Sequence, residues 1–208
     1  MRRAIADLFA RAVTGFMKLL TGAQARWVGC RPEPMQRIYF ANHTSHGDFV
    51  LIWTCLPRAL RSRTRPVAGA DYWLKGAVRR YVITEVLNGV LIDREKASRT
   101  RDPIETLLEA LDAGWSLIVF PEGTRASGDE MLPFKSGIYH VARQRPQVEL
   151  VPVWIENLNR VMPKGEFLPV PLLCSATFGT PTRLVPGEEK DAFLARLQRS
   201  VVDLGNPA

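Results

Sequence analysis

The stretch YFANHTSHGDFVLIW, Tyr39–Trp53, carries two of the chain's three histidines and an aspartate between two apolar runs. Upstream, RIYFAN (37–42) reads as a short strand. Downstream, DFVLIWTCL (48–56) reads as a buried helix stopped by Pro57. The same handover from strand to helix recurs along the chain. RPVAGADYWLKGAVRRY (65–81) gives a strand and then a helix, and GVLIDR (89–94) is β-rich. DPIETLLEALDAG (102–114) is the clearest helix, with Asp102 as its cap, Pro103 in the first turn and Gly114 at the stop. WSLIVFPEG (115–123) is a buried strand running into a turn, and SGIYHVARQ (136–144) is helical. VELVPVWIE (148–156) and LCSATFGTP (173–181) are strands, and 188–204 closes with an amphipathic helix. Such alternation predicts an α/β fold, a layered sheet flanked by helices.

Composition agrees with one domain. The chain has 208 residues, 46% hydrophobic and 24% charged, enough for a sizeable core and too apolar for global disorder. A net charge of +7 attracts something anionic: nucleic acid, an acidic membrane leaflet or a phosphorylated ligand. No nucleic-acid motif accompanies the charge, so nucleic acid is not expected as a partner. Cys30, Cys55 and Cys174 are odd in number and form no C-x-x-C pair, which argues against a disulfide framework or a thiolate zinc site and for a reducing compartment.

The N-terminal segment, residues 1–28, stands apart from the domain at 29–208. Ile5, Leu8, Phe9, Val13, Phe16, Leu20 and Ala23 recur at helical steps, and Arg2, Arg3, Arg11, Lys18 and Arg26 oppose a single Asp7. A basic amphipathic helix of this kind lies in the surface of an anionic bilayer or packs on the protein's own core; both readings stand. Charged residues break it well short of the ~20 apolar residues a membrane span requires.

The chemistry is carried by His43 and Asp48. On one continuous helix, five steps would leave their side chains ~140° apart. They meet if His43 lies in the turn and Asp48 just inside the helix, with Thr44 or Ser45 capping it. The carboxylate then holds one imidazole nitrogen, and the other is free to take a proton from a hydroxyl. Other readings are a metal site built from His43, His46 and Asp48, which has too few ligands, a hydrolase triad, whose G-x-S-x-G signature is absent, and plain capping or core histidines. FPEGTR (120–125) adds a turn at Gly123 with exposed amides, a hydroxyl at Thr124 and a planar cation at Arg125. NGVLIDR (88–94) ends on Arg94, a second possible phosphate ligand, and Val151-Pro152-Val153 sets a proline in an apolar strand, which suits a sheet edge or the lip of a groove.

In order, these blocks are Asn42-His43-x4-Asp48, Gly89-x-x-Ile92-x-Arg94, Phe120-Pro121-Glu122-Gly123-Thr124-Arg125 and Val151-Pro152-Val153. They resemble the four blocks of the glycerolipid acyltransferases, over roughly residues 37–155. Phe134-Lys135-x-Gly137 resembles the segment that follows the third block. The resemblance implies the glycerol-3-phosphate acyltransferase-like fold and transfer of a fatty acyl group from acyl-CoA or acyl-carrier protein to the hydroxyl of a lysophospholipid, lysophosphatidate in the type member. It implies His43 as general base and Asp48 as its orienter. Arg94, Glu122, Gly123, Thr124 and Arg125 would hold the acceptor phosphate, and Gly89, Phe49, Val151 and Pro152 would lie near the acceptor or acyl path. It implies no metal and no cofactor beyond the thioester co-substrate. A peripheral place on the cytoplasmic face of the inner (plasma) membrane follows from lipid substrates and a basic chain.

Two departures are visible. Leu91 stands where the second block usually carries an aromatic, and His46 is an additional histidine between base and orienter. Glu122 also has a second reading, as a turn carboxylate binding backbone amides or Arg125. Other acceptors within the same chemistry are a lyso-ornithine lipid, another lysophospholipid or glycerol-3-phosphate. A non-catalytic module binding anionic membranes and a hydrolase using the same pair to activate water are the readings from other classes.

Overall fold

The computed structural model describes residues 8–9, 11–12, 14–16, 18–19, 22–45, 47–93, 101–125, 131–156 and 173–206. Seven strands form one sheet: β1 (Gln24–Trp27), β2 (Arg37–Ala41), β3 (Thr64–Gly69), β4 (Val90–Ile92), β5 (Ser116–Val119), β6 (Glu149–Glu156) and β7 (Ser175–Phe178), in the order β1-β7-β6-β2-β5-β3-β4. β6, β2, β5, β3 and β4 run parallel to one another. β7 is antiparallel to β6, and β1 lies parallel to β7 at the edge. Parallel strands need crossovers and bury both faces, which is why their sequences are nearly continuous apolar runs.

Helices cover both faces. On one lies α1 (Asp48–Cys55), followed by α2 (Arg58–Arg61). Phe49, Leu51, Ile52 and Trp53 of α1 pack on Tyr39, Ala41, Ile118, Val151 and Val153 of the sheet. A helix apolar nearly all round is stable only when sandwiched, and α1 is buried at six of its eight positions. The short helices α3 (Ala70–Trp73) and α4 (Ala77–Tyr81) and a π turn at Val82–Val86 continue after β3. The opposite face takes α5 (Pro103–Asp112), α6 (Gly137–Gln144) and α7 (Lys190–Gly205), whose Leu108, Val141, Phe193, Leu197 and Val201 meet Ile38, Phe40, Leu117 and Leu150. Alternation in β2 thus sends Tyr39 to one core and Phe40 to the other, each buried side chain contributing roughly 1.5–3 kcal/mol.

α5 begins as its sequence predicts. The Asp102 carboxylate accepts from the Ile104 amide at 2.9 Å and Pro103 occupies the first turn, a cap of about 1 kcal/mol.

Three expectations need correction. Gln24–Trp27, read as the end of the N-terminal helical segment, is strand β1. It is an exposed edge strand without alternation, ordered by pairing with Ser175–Phe178 and by Trp27 stacking on Phe178 at 4.1 Å. The described residues between 8 and 19 are helical; the rest of that segment lies outside the described residues. Pro152 is not on an edge strand. β6 is interior, but the Pro152 carbonyl accepts from Gly179 at 2.9 Å, so its missing N–H faces the β7 side just past the ladder's last pair, Val153 with Phe178. The proline sits at a break in the ladder, where no donor is needed. Finally, neither Thr44 nor Ser45 caps α1. The cap position is Gly47, with no side-chain cap bond, and Asp48 uses the Thr44 and Ser45 amides instead.

Among the described residues, no helix is long and apolar enough to cross a membrane.

Candidate active site

The carboxyl ends of the parallel strands share one edge of the sheet, where ligands bind in open α/β folds. β2 delivers residues 42–48 there, and β5 delivers 120–125. Asn42 ends the ladder. Its amide donates to the Ile155 carbonyl at 3.1 Å and accepts from the Ile155 N–H at 2.8 Å, imitating one more peptide pair after Ala41 and Val153. Held by this bracket, the chain turns out of the sheet at His43.

His43 Nδ1 lies 2.8 Å from Asp48 Oδ2, with Asp48 wholly buried and the His43 side chain 16% exposed. The same oxygen accepts from the amides of Thr44 at 2.7 Å and Ser45 at 2.8 Å, while Oδ1 is buried without a partner. A carboxylate at this position favours the tautomer with its proton on Nδ1, leaving Nε2 as the acceptor. The imidazole also lies flat on Phe120, with ring centres 4.2 Å apart and planes 18° from parallel.

Glu122 is not on the groove wall. It is 1% exposed, and its two oxygens are spoken for: Oε1 accepts from the His43 amide at 2.7 Å and Oε2 from the Leu132 amide at 2.8 Å. Burial pushes its carboxyl above the usual range, and the two amide bonds partly offset the push. Its assignment among the phosphate ligands is therefore corrected: a buried acid with both oxygens occupied clamps the His43 backbone to the segment after the FPEGTR turn.

One groove of about 960 Å³ connects the rest. His43, Phe49, Gly123, Thr124 and Arg125 all line it. Gly123 takes φ +70°, and a Cβ there would meet the Lys135 ammonium 2.7 Å away, so only glycine lets that side chain lie across the turn. Lys135 also lines the groove, anchored by its amide to the Pro121 carbonyl at 2.9 Å. The wall also carries the apolar Val67, Ile104, Leu107, Val119 and Ile138, together with the acids Asp71, Asp93 and Asp102. The arrangement can hold an anionic head beside Arg125 and Lys135, an apolar chain along the wall, and a hydroxyl at Nε2.

Gly89, Val151 and Pro152 do not line the groove. Gly89 packs against the Ile83 side chain, and the other two are buried in β6. Arg94 and His46 lie outside the described residues. Asn42 and Phe120 are positioning residues that the motifs contained without declaring their work; an apolar residue closing a buried strand just before a turn was the available signal for Phe120.

Residues 31–156 match the family described as acyltransferase. The chain is 34% identical over 162 residues to a human 1-acyl-sn-glycerol-3-phosphate acyltransferase alpha, covering 72% of this chain and 52% of the relative. It is 30% identical over 162 residues to the 1-acyl-sn-glycerol-3-phosphate acyltransferase of Cocos nucifera, covering 69% and 50%. The chain spans about half the length of these curated relatives. The crystal structure of a 1-acyl-sn-glycerophosphate acyltransferase from Thermotoga maritima superposes with a TM-score of 0.72 at 21% identity, over 99% of this chain and 82% of that one, which establishes a shared fold. With more than half of its length matched by the family, the chain belongs to the acyltransferases.

Proposed function

We propose, with membership of the acyltransferase family as the premise, that this chain moves a fatty acyl group from acyl-CoA or acyl-carrier protein to the free hydroxyl of 1-acylglycerol-3-phosphate, giving phosphatidate for phospholipid synthesis. The observation that carries the reading is the 2.8 Å contact between His43 Nδ1 and the buried Asp48, beside a groove whose lining includes apolar side chains and the cations Arg125 and Lys135. The relatives' names support the acceptor.

In the proposed reaction, His43 Nε2 takes the proton of the acceptor hydroxyl as its oxygen attacks the thioester carbonyl. The carbon–sulfur bond then breaks, and the imidazolium returns the proton to the departing thiolate. Asp48 stabilises the imidazolium and fixes the ring. No acyl-enzyme is required. Arg125, with the Thr124 hydroxyl, would hold the acceptor phosphate beside the Gly123 turn, whose own amide donates to the Phe120 carbonyl at 3.0 Å, and Arg94 would join them. The basic chain fits three anionic partners: the lysophospholipid, the donor and the cytoplasmic leaflet, on which it would sit peripherally.

The test is phosphatidate formation by purified protein with lysophosphatidate and, in separate reactions, oleoyl-CoA or acyl-carrier protein. Product that disappears in His43→Ala is the expected result. Undiminished product in that variant would overturn the mechanism, and product only with another lysolipid would replace the acceptor.

A further inference from the structure

The hairpin of short helices after β3, Ala70–Trp73 and Ala77–Tyr81, stands out from the rest of the surface. Neither helix contains a buried residue, although both are rich in large side chains. Val78 is 75% exposed, and Leu74 is exposed beside it. Between and after them stand Lys75, Arg79 and Arg80. Among the described residues none of the three pairs with a carboxylate; Arg79 instead lies over the Tyr72 ring, 4.6 Å from its centre.

This patch is continuous with a second one. Phe9 meets Tyr81 edge to face at 5.8 Å, and Arg61, itself bonded to the Thr54 and Leu56 carbonyls, donates to the Thr14 hydroxyl at 2.9 Å. These contacts hold the helical N-terminal residues against the domain with Leu8, Phe16 and Leu19 outward, Leu19 at 88% exposure. The hairpin also borders the groove, because Tyr72 and Trp73 line it.

We propose that this hairpin is a bilayer-contacting element: Leu74 and Val78 enter the headgroup–acyl boundary of an anionic membrane while Lys75, Arg79 and Arg80 bind its headgroups, seating the groove mouth at the lipid surface. Among the described residues, the Arg79 and Arg80 side chains donate only to the Tyr72 and Leu74 carbonyls, at 3.4 and 3.5 Å. Apolar residues flanked by cations without a carboxylate partner are what an interfacial element requires, and Tyr and Trp favour the headgroup level. Anionic lipid neutralises the cations. A second copy of this chain would not, since a face-to-face dimer sets the same three cations against one another. The inference rests on the acceptor being a lipid, yet its test reads partitioning and not acyl transfer, so the two fail separately.

The full chain is floated with phosphatidylcholine vesicles containing or lacking phosphatidylglycerol. Wild type is expected to bind the anionic vesicles. Lys75→Glu with Arg80→Glu should weaken that binding on the order of tenfold or more. A charge-matched control on the exposed side of α7, Lys190→Glu with Arg199→Glu, should bind as wild type. Leu74→Ser with Val78→Ser should lose binding, and Val78→Trp should strengthen it; circular dichroism checks that each is folded. Binding unchanged in the hairpin variants, or lost equally in the control, overturns the proposal. So does a vesicle-free dimer by light scattering that Leu74→Ser with Val78→Ser dissolves, which would make a second copy the occupant.

Discussion

Asp48 and Glu122 are both buried acids at the same edge of the sheet, and they spend their oxygens differently. Asp48 converges three donors on Oδ2, one of them the imidazole itself. Glu122 divides its oxygens between the backbones of two distant segments, His43 and Leu132. The first acid therefore acts on the His43 imidazole, and the second on where the His43 backbone stands. Loss of Asp48 should register in the chemical step, and loss of Glu122 chiefly in stability.

The largest effects test the first half of that contrast. His43→Ala should lower kcat by about 10²–10⁴-fold with the fold intact, since a general base contributes that much. Asp48→Asn should lower kcat by about 10²-fold or more while KM for the acceptor changes little, because the amide holds the ring less well and does not stabilise its charge. Steady-state kinetics over acceptor concentration separates the two parameters. A large KM change with kcat preserved would break the comparison.

Glu122→Gln tests the second half. One amide N–H of the glutamine must face a backbone N–H that the carboxylate accepted, leaving a buried donor unmatched. Urea denaturation should show a loss of roughly 1–3 kcal/mol, with kcat of the folded protein reduced far less than in Asp48→Asn. The pH dependence sharpens the same point. The folded-state carboxyl of Glu122 is raised above its ordinary 4.5 by burial. Its contribution is therefore most favourable below the unfolded value and is lost as pH rises through the raised folded one. The stability difference between wild type and Glu122→Gln should shrink as pH rises across that window, measured by urea midpoints. A difference that grows instead would mean that the amide bonds outweigh burial.

Phe120→Leu should have the smallest effect. The ring stack is worth about 0.5–1.5 kcal/mol, so kcat measured in the same steady-state assay should fall only several-fold. A loss as large as that of Asp48→Asn would move Phe120 from support to chemistry.

Local signals made much of the fold legible. The apolar runs of β2, β5 and β6, the Asp102-Pro103 start of α5 and the turn at Gly123 each carry their cause within a few residues. What escaped depended on partners far along the chain. β1 is strand because of Ser175–Phe178, about 150 residues away, and has no alternation of its own. Pro152 is tolerated in an interior strand because β7 stops pairing beside it. Glu122 looked like a ligand because it sits among residues expected to bind phosphate; only burial against His43 and Leu132 shows that it is a clamp.

By itself, the sequence determined that this is an α/β chain with a histidine and an aspartate at a strand-to-helix turn, because residue spacing and apolar period act over one turn or one strand. Tertiary structure alone decided which of the neighbouring polar residues reach the groove. Gly123, Thr124 and Arg125 line it while Glu122, the residue before them, does not, and no local pattern encodes that choice. The reason is that a buried acid survives only where distant amides converge on it, and convergence is a property of the packed sheet and not of any segment.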